Sequence, residues 1–339
     1  MDSLTQIALG SAVSVAVMGR TTAVWKAALW GAVAGTLPDL DSFIDHGNAV
    51  LNMTRHRAES HSLFYLTLAA PVLAGLVSRV HSEAALFKRW WLALWLTLVT
   101  HPLLDTMTVY GTQLLQPFSD YPFGVGSVFI IDPAYTLPLI VGVAAALRLK
   151  SERGLRWNAA GLLLSTLYLG LGVLAQQHAT KVARASLQTQ GIAAQELLVT
   201  PTPFNAVLWR LVATTPSNYL EGYYSLLDGT KDDMQTIRWT VHPRGQALIA
   251  SYGDAPSVRR IAAFSHGFFR LSEEQGHLFV TDLRMGMEPY YSFHFDLGPT
   301  SLVATAGTKP VQQSQRPPVP TTLQWLWRRM LGDAVPPPA

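Results

Sequence analysis

The amino-acid sequence predicts an α-helical integral membrane domain of about five to six spans, followed by a soluble, β-rich (α+β) domain. Three observations lead to this fold class. Charged residues are scarce: 25 Lys and Arg with 22 Asp and Glu make up 14% of the 339 residues, against roughly 25% in an ordinary soluble domain. Long apolar blocks occupy the chain up to about residue 176. Beyond that point, short runs rich in Val, Ile, Phe, Tyr and Trp are separated by glycines, which is typical of strands.

The apolar blocks mark the candidate membrane spans. The last four approach the roughly 20 residues that a helix needs to cross a bilayer. The first two are weaker, and either one can be tilted, half-inserted or re-entrant. A large soluble helical core is the alternative, and the lengths of the blocks argue against it. The candidate spans are residues 4–19, 24–37, 62–80, 90–108, 129–147 and 157–175.

Basic residues predict the orientation of these spans. If all six cross, alternate connections collect nine basic residues, whereas the opposite connections contain only Arg55 and Arg57. The positive-inside rule places the nine in the cytoplasm and everything after residue 176 outside. We therefore expect a multi-pass protein of the inner (cytoplasmic) membrane. The nine are Arg20, Lys26, Arg79, Lys88, Arg89, Arg148, Lys150, Arg153 and Arg156.

The sequence predicts three parts: a membrane domain at 1–176, a soluble β-rich domain at 177–305 and a Pro-rich flexible tail at 306–339. Within the tail, Leu323–Leu331 is a short amphipathic segment that can dock on the domain or lie on a membrane surface. The expected strands are Thr236–His242, Ala247–Tyr252, His277–Leu283 and Tyr290–Leu297.

Composition excludes several classes of function. The chain has no cysteine, so disulfides, thiolate metal sites and cysteine nucleophiles are excluded. The net charge is only +3, and no block of Lys or Arg points to nucleic-acid binding. A metal site in this chain must therefore use His, Asp and Glu.

Ionisable residues of the membrane half gather in a few short motifs, which the predicted topology places at the same outer interface. Each has a structural reading on its own, such as a helix cap or a His–Asp hydrogen bond. Placed side by side at a membrane, their ionisable side chains are energetically unfavourable unless a cation offsets their charge. We therefore predict that they bind a metal ion, or two. The predicted ligands are Asp39, Asp41, His56, His61, His101, Asp105 and Asp132.

The ligand types predict the chemistry. His with several Asp suits Zn²⁺, Mn²⁺ or Mg²⁺, and we favour Zn²⁺. Such an ion activates water and clamps a phosphoryl oxygen. A carboxylate-rich site at a membrane surface favours hydrolysis of a phosphoester in a lipid or lipid-linked substrate. Asp45, His46 and Glu59 are candidates for proton transfer or for orienting the ligands, and Arg55 and Arg57 for contacting the substrate or lipid headgroups.

The same motifs carry a family resemblance. Met1–Ile7 (MDSLTQI), Gly35–Asp41 (GTLPDLD), the His56–Ser62 stretch and His101–Asp105 followed by Tyr110-Gly-Thr resemble the YdjM/YbcI-like family of inner-membrane-bound proteins, for which metal-dependent hydrolase activity is inferred. The resemblance extends into the second half, through Trp209-Arg210, Glu221-Gly-Tyr-Tyr and Asp282-Leu-Arg284-Met.

The resemblance implies a metal-dependent hydrolase. The His-xxx-Asp arrangement of the family is similar to that of zinc-dependent phospholipase C and related nucleases, which implies phosphoesterase chemistry. This chain departs from the family pattern at Arg57–Glu59, so Glu59 is open as an additional carboxylate of the site. The resemblance does not indicate the substrate.

A second class of function is also compatible with the sequence. In this alternative the metal cluster is structural or transport-related, and the exposed domain binds a partner in an envelope-stress or DNA-damage response.

Overall fold

The structure is a computed structural model that describes residues 1–228, 237–303, 309–314 and 316–338. The chain divides into two compact units. We call residues 1–44, 56–173 and 203–205 the helical unit, and residues 45–55, 174–202 and 206–339 the sheet unit. This division agrees with the coarse prediction of a helical region followed by a domain that contains sheets.

The helices of the described residues are α1 (Ser3–Met18), α2 (Val24–Thr36), α3 (Ala49–Arg55), α4 (Leu63–Val80), α5 (Phe87–Asp105), α6 (Pro133–Leu149), α7 (Glu152–Thr189), α8 (Gln246–Tyr252), α9 (Pro256–Phe264), α10 (Thr300–Val303) and α11 (Val319–Met330). Short 3-10 turns occupy Pro38–Phe43, Glu59–His61 and Ala84–Leu86.

The strands of the described residues are β1 (Glu196–Pro201), β2 (Leu208–Thr214), β3 (Asn218–Ser225), β4 (Thr240–Pro243), β5 (Phe269–Glu274), β6 (His277–Asp282), β7 (Gly286–Met287), β8 (Tyr290–Tyr291), β9 (His294–Pro299) and β10 (Val311–Gln312).

Glycines allow α1 and α2 to pack closely in the helical unit. A Cβ atom added at Gly31 would lie 2.2 Å from the carbonyl oxygen of Gly10, so no side chain fits between the two backbones. Small residues are what permit such an approach between apolar helices. Trp90, Leu94 and Leu98 of α5 are buried in the same core. This packing holds the ends of α1, α2 and α5 in one place.

One end of the helical unit carries the basic connections. Lys26 Nζ lies 2.7 Å from Glu83 Oε1, and Arg20 Nη1 lies 3.7 Å from Glu152 Oε1. These two pairs join the α1–α2, α4–α5 and α6–α7 connections, and the nine basic residues lie in these connections or in the adjoining helix ends. The two pairs bring the three connections together at one end of the helical unit, and the side of the membrane on which they lie stays a prediction.

Two helices of the described residues, α4 and α7, are long and apolar enough to cross a membrane. The apolar helices α1 and α6 have 16 and 17 residues, and α2 has 13. The expectation of five to six spans is therefore not confirmed. The physical reason is that several apolar blocks of the sequence form helices shorter than a bilayer requires.

Helix α7 continues past residue 176, where the sequence predicts a domain boundary. It runs for 38 residues, because the polar stretch after the predicted span at 157–175 is rich in Ala, Gln, Lys and Arg, which favour helix. Ala179 and Ala183, near its C-terminal end, pack against Trp209 and Leu211 of β2 in the sheet unit.

The sheet unit contains two four-stranded antiparallel sheets and a short hairpin. The strand orders are β1-β2-β3-β4 and β10-β9-β6-β5, with β7 paired to β8. Every residue of β2 is buried, which places this strand in the interior of the unit. Helix α11 packs Trp325 and Leu326 against Leu208 and Met287, so this part of the predicted tail is a docked helix.

Several predicted strands differ from the observed elements. The prediction of a strand at Ala247–Tyr252 is wrong: these residues form α8, because Gly245 adopts the left-handed conformation (φ 80°) that starts a helical turn, and the Ala and Leu that follow favour helix. The predicted strand Tyr290–Leu297 is divided between β8 and β9. Thr236, at the start of another predicted strand, lies outside the described residues.

Candidate metal centre

Four predicted ligands meet at the end of the helical unit opposite the basic connections. Asp39 lies on the 3-10 turn that follows α2, and His61 ends the 3-10 turn that precedes α4. His101 and Asp105 lie in the last turn of α5, where the i, i+4 spacing places them on one face. The four are brought together because the C-terminal ends of α2 and α5 and the N-terminal end of α4 lie side by side.

The ligand atoms of these residues, which we call the His–Asp cluster, lie within 4.8 Å of one another. His61 Nε2 and His101 Nε2 are 3.1 Å apart. Asp39 Oδ1 is 3.3 Å from the first nitrogen and 3.5 Å from the second. Asp105 Oδ2 repeats these two distances, 3.3 and 3.5 Å. The cluster can hold a metal ion.

The separations match a small tetrahedral ion. Zinc binds His nitrogen and carboxylate oxygen at about 2.0–2.1 Å, which gives tetrahedron edges of about 3.3–3.4 Å. The distances that involve a histidine nitrogen run from 3.1 to 3.5 Å. Five of the six separations among the four atoms are thus close to the spacing that such an ion requires.

Hydrogen bonds on the far sides of the imidazole rings indicate which nitrogens face the cluster. His101 Nδ1 lies 2.7 Å from the carbonyl oxygen of Gly35 and must donate to it, because a carbonyl has no hydrogen to give. Ser60 Oγ donates to Asp41 Oδ2 at 2.5 Å and lies 2.8 Å from His61 Nδ1, so it accepts from that ring. In the neutral rings both Nε2 atoms therefore present lone pairs to the cluster.

The two carboxylate oxygens of the cluster have no hydrogen-bond partner. Asp39 Oδ1 and Asp105 Oδ2 are buried and receive no hydrogen bond among the described residues. Buried acceptors without a donor are costly. Two imidazole nitrogens and two carboxylate oxygens that converge on one point are the donor set of a divalent metal ion, so the residues present fit such an ion.

The two carboxylate oxygens of Asp105 make different contacts. Oδ2 belongs to the cluster, whereas Oδ1 accepts a hydrogen bond from Gln6 Nε2 at 3.0 Å and contacts the amino group of Met1. Gln6 Nε2 also lies 3.3 Å from the carbonyl oxygen of His101. Gln6 and Ser60 were not predicted as site residues. The motif Met1–Ile7 and the Ser-His-Ser sequence of the family resemblance were the signals that contained them.

Asp41 and His56, both predicted ligands, lie one layer outside the cluster. Asp41 Oδ1 accepts from His56 Nδ1 at 2.7 Å, and Asp41 Oδ2 accepts from the backbone N–H of Arg57 at 2.9 Å as well as from Ser60. Burial raises the pKa of Asp41, but the hydrogen bonds from His56 and Ser60 outweigh it, and the net pKa is lowered. Carboxylates in this position orient metal-binding histidines.

Arg57 places a buried positive charge beside the cluster. Its Nε lies 3.3 Å from Asp105 Oδ2, and its guanidinium stacks 4.9 Å from the centre of the Tyr110 ring. The backbone adopts φ 66°, a conformation that costs a non-glycine residue energy and is common at functional sites. This predicted substrate contact is therefore adjacent to the site.

Asp132, the seventh predicted ligand, is not brought to the cluster. Its Oδ1 accepts from the backbone N–H of Ala134 at the start of α6, and its Oδ2 accepts from Tyr168 at 2.8 Å. An Asp before Pro133 is a helix N-cap, and this local role explains its position.

The predicted proton-transfer residues lie elsewhere. Asp45 and His46 belong to the sheet unit, where Asp45 Oδ1 accepts from the N–H of Gly47 and the backbone N–H of His46 donates to Asn52. Such bonds stabilise a turn. Glu59 and Arg55 have exposed side chains, and neither is among the four residues of the cluster.

The fold and the cluster define a class: a helical protein with a His/Asp cluster that can hold a metal ion at one end of its helices. Residues 1–179 match the YdjM inner membrane protein family, and the chain belongs to this family. All four cluster residues lie within the matched region. The chain is also similar to the uncharacterized protein YfhP of Bacillus subtilis (strain 168), with 23% identity over 67% of this chain and 71% of the relative. No solved structure matches.

Proposed function

We propose that this inner membrane protein is a metal-dependent hydrolase that cleaves a phosphoester in a lipid or lipid-linked substrate. The convergence of four hydrogen-free acceptor atoms, from Asp39, His61, His101 and Asp105, is the observation that carries the proposal. These four residues would hold a divalent ion, which would supply Lewis-acid chemistry towards a water molecule and a phosphoryl oxygen.

The donor set favours a catalytic site that binds zinc. Structural zinc sites are mostly built from cysteine, whereas catalytic ones use histidine and carboxylate, and this chain contains no cysteine. Two imidazole ligands suit Zn²⁺ better than Mg²⁺, which prefers oxygen ligands. Mn²⁺ is the second choice.

Residues around the cluster can bind a phosphoester and transfer a proton during its hydrolysis. Arg57 offers a cation to an oxygen of the phosphoryl group. His56, held by Asp41 and one-quarter exposed, is an imidazole outside the ligand set, and we assign it the proton transfer that the sequence suggested for Asp45, His46 or Glu59. Asp39 is 21% exposed while the other three ligands are buried, so a substrate approaches from the Asp39 side.

Apolar side chains beside the cluster favour a lipid substrate. Leu40, Phe43 and Ile44 are 53%, 85% and 56% exposed and lie on or next to the same 3-10 turn as Asp39. This turn directs carboxylates inward and apolar groups outward. Exposed apolar patches beside a polar site mark lipid or membrane contact.

One observation favours the alternative, a metal site without catalysis. Four protein ligands complete a tetrahedron, and structural zinc sites are closed in this way, whereas catalytic sites keep a position open. In this alternative, the protein binds metal without catalysis. Its exposed domain binds a partner in an envelope-stress or DNA-damage response.

Metal analysis combined with turnover separates the two. The full chain is purified in detergent, its metal content is measured by mass spectrometry, and hydrolysis is assayed on a panel of lipid phosphoesters. Asp105→Asn should lose both metal and turnover. Asp132→Asn, which changes a buried carboxylate outside the cluster, should keep both. Stoichiometric metal without turnover of any phosphoester supports the alternative, and wild type without metal refutes both functions.

A further inference from the structure

The face of α4 that is turned away from the helical core carries a continuous apolar stripe. Leu68, Val72, Leu76 and Val80 are 54 to 75% exposed and follow one another at intervals of four residues, which places them on one side of the helix. Helix α4 is one of the two helices that are long and apolar enough to cross a membrane. The bilayer is therefore the environment that covers this stripe.

A groove of about 1030 Å³ runs beside the stripe. Gly75 forms its floor, because a glycine leaves empty the space that a side chain would take. A Cβ atom added there would meet only the edge of Phe87, at 3.9 Å. The groove is otherwise mainly aliphatic, with Pro71, Val72 and Leu76 among its lining residues.

An unpaired cation stands at one end of this groove. Arg79 lines the groove and is exposed, and the described part of the chain gives its guanidinium no hydrogen bond or ion pair. Its neighbours at the same end of the helical unit differ, since Lys26 pairs with Glu83 and Arg20 with Glu152. An apolar groove that ends at a free guanidinium complements a molecule with a hydrocarbon chain and an anionic head.

We propose that this groove binds a phospholipid of the surrounding bilayer, with an acyl chain along Gly75 and the phosphate on Arg79. Arginine binds phosphate oxygens through paired N–H donors, and basic pockets on membrane helices select anionic headgroups. The groove lies towards the C-terminal end of α4, whereas His61 precedes its N-terminal end. It is a second lipid site, and it does not depend on the proposed hydrolase activity.

Native mass spectrometry of the full chain in detergent, titrated with dioleoyl phosphatidylglycerol, tests the proposal. Gly75→Leu should fill the groove and weaken binding of the first lipid about tenfold. Gly170→Leu is the matched control, because Gly170 lies on the other candidate span with no atom within 4 Å of an added Cβ, and it should titrate like wild type. Equal titration of both leucine variants and wild type, or equal loss in both variants, overturns the proposal.

Two substitutions at Arg79 test the phosphate contact without touching the helical core. Arg79→Gln should weaken binding of the first lipid, and Arg79→Lys should retain most of it. If Arg79→Gln binds like wild type, the assignment of the phosphate to Arg79 is wrong. If Gly75→Leu instead converts a dimer into a monomer while the lipid titration is unchanged, the groove is an interface between copies and the lipid proposal is overturned.

Discussion

His61 Nε2 and His101 Nε2 lie 3.1 Å apart, and in the neutral rings neither nitrogen carries a hydrogen, because each ring donates through Nδ1 on its far side. Two lone pairs at this distance repel each other. Asp39 and Asp105 add two carboxylate oxygens to the same point. A cation at the centre would bind the lone pairs and offset the two negative charges.

Metal should stabilise the fold through this cluster. A ligand present at 100 times its Kd stabilises the native state by about 2.7 kcal/mol, so a chelator should lower the Tm of wild type. His101→Ala should have a lower Tm that no longer responds to chelator or to added Zn²⁺. The metal-dependent increase in Tm should also decline as the pH falls, because a protonated imidazole cannot bind metal. An equal chelator response in His101→Ala would contradict the assignment.

Ser60 should contribute to metal affinity through His61. It connects Asp41 to His61 Nδ1, and outer hydrogen bonds of this kind are worth about 10- to 100-fold in metal affinity. Ser60→Ala should therefore raise the Kd for Zn²⁺ by that factor, measured by competition with a chelating dye. Ser60→Thr keeps the hydroxyl and should restore affinity. Ser119→Ala, at a partly exposed serine of the same unit, is the control that should leave Kd unchanged.

Gly31 should be intolerant of a side chain. Alanine in a helix is favoured over glycine by about 1 kcal/mol on propensity alone, but a Cβ at Gly31 would meet the carbonyl oxygen of Gly10 at 2.2 Å. Overpacking costs about 1–3 kcal/mol, so Gly31→Ala should lower the Tm. Gly170→Ala, with open space around it, should leave the Tm unchanged or raise it. A stable Gly31→Ala would mean that α1 and α2 are not in such close contact.

A buried ion pair should be important for the sheet unit. Arg210 Nε contacts Glu221 Oε1 at 2.5 Å, and Arg210 also donates to the carbonyl oxygen of Leu283 at 2.8 Å. Removing one partner of a buried pair costs about 3–5 kcal/mol. Arg210→Met should therefore lower the free energy of unfolding strongly, whereas Arg328→Met, at a pair with about half of each side chain exposed, should change it by less than about 1 kcal/mol.

The orientation of the helical unit can be measured with single cysteines, because the natural chain has none. Phe43→Cys, on the turn of Asp39, should react with a membrane-impermeant maleimide in intact spheroplasts. Lys88→Cys, among the basic connections, should react only after permeabilisation. The opposite pattern would place the metal centre on the cytoplasmic face and reverse the orientation predicted from Lys and Arg.

The sequence was sufficient to locate the site, but it did not distinguish the residues of the His–Asp cluster from those that support them or lie elsewhere. The i, i+4 spacing of His101 and Asp105 on a helix and the two motifs before α4 are local patterns, and they identified all four residues of the His–Asp cluster. The roles of Asp41 and Asp132 were not visible, because both residue types serve equally well as ligand, cap or hydrogen-bond acceptor. Only neighbours distant along the chain, such as Tyr168 for Asp132, distinguish these roles.

The sequence by itself determined the helical first half, the sheet-containing second half and the membrane family, and the absence of cysteine restricted any metal ligands to His and carboxylates. These properties follow from composition and short spacings. The tertiary structure decided which side chains converge, which nitrogens face inward and which apolar blocks form helices too short to span a bilayer. His61 and His101 are separated by 40 residues. Their meeting depends on the packing of α4 against α5, a property of the folded chain that no local pattern encodes.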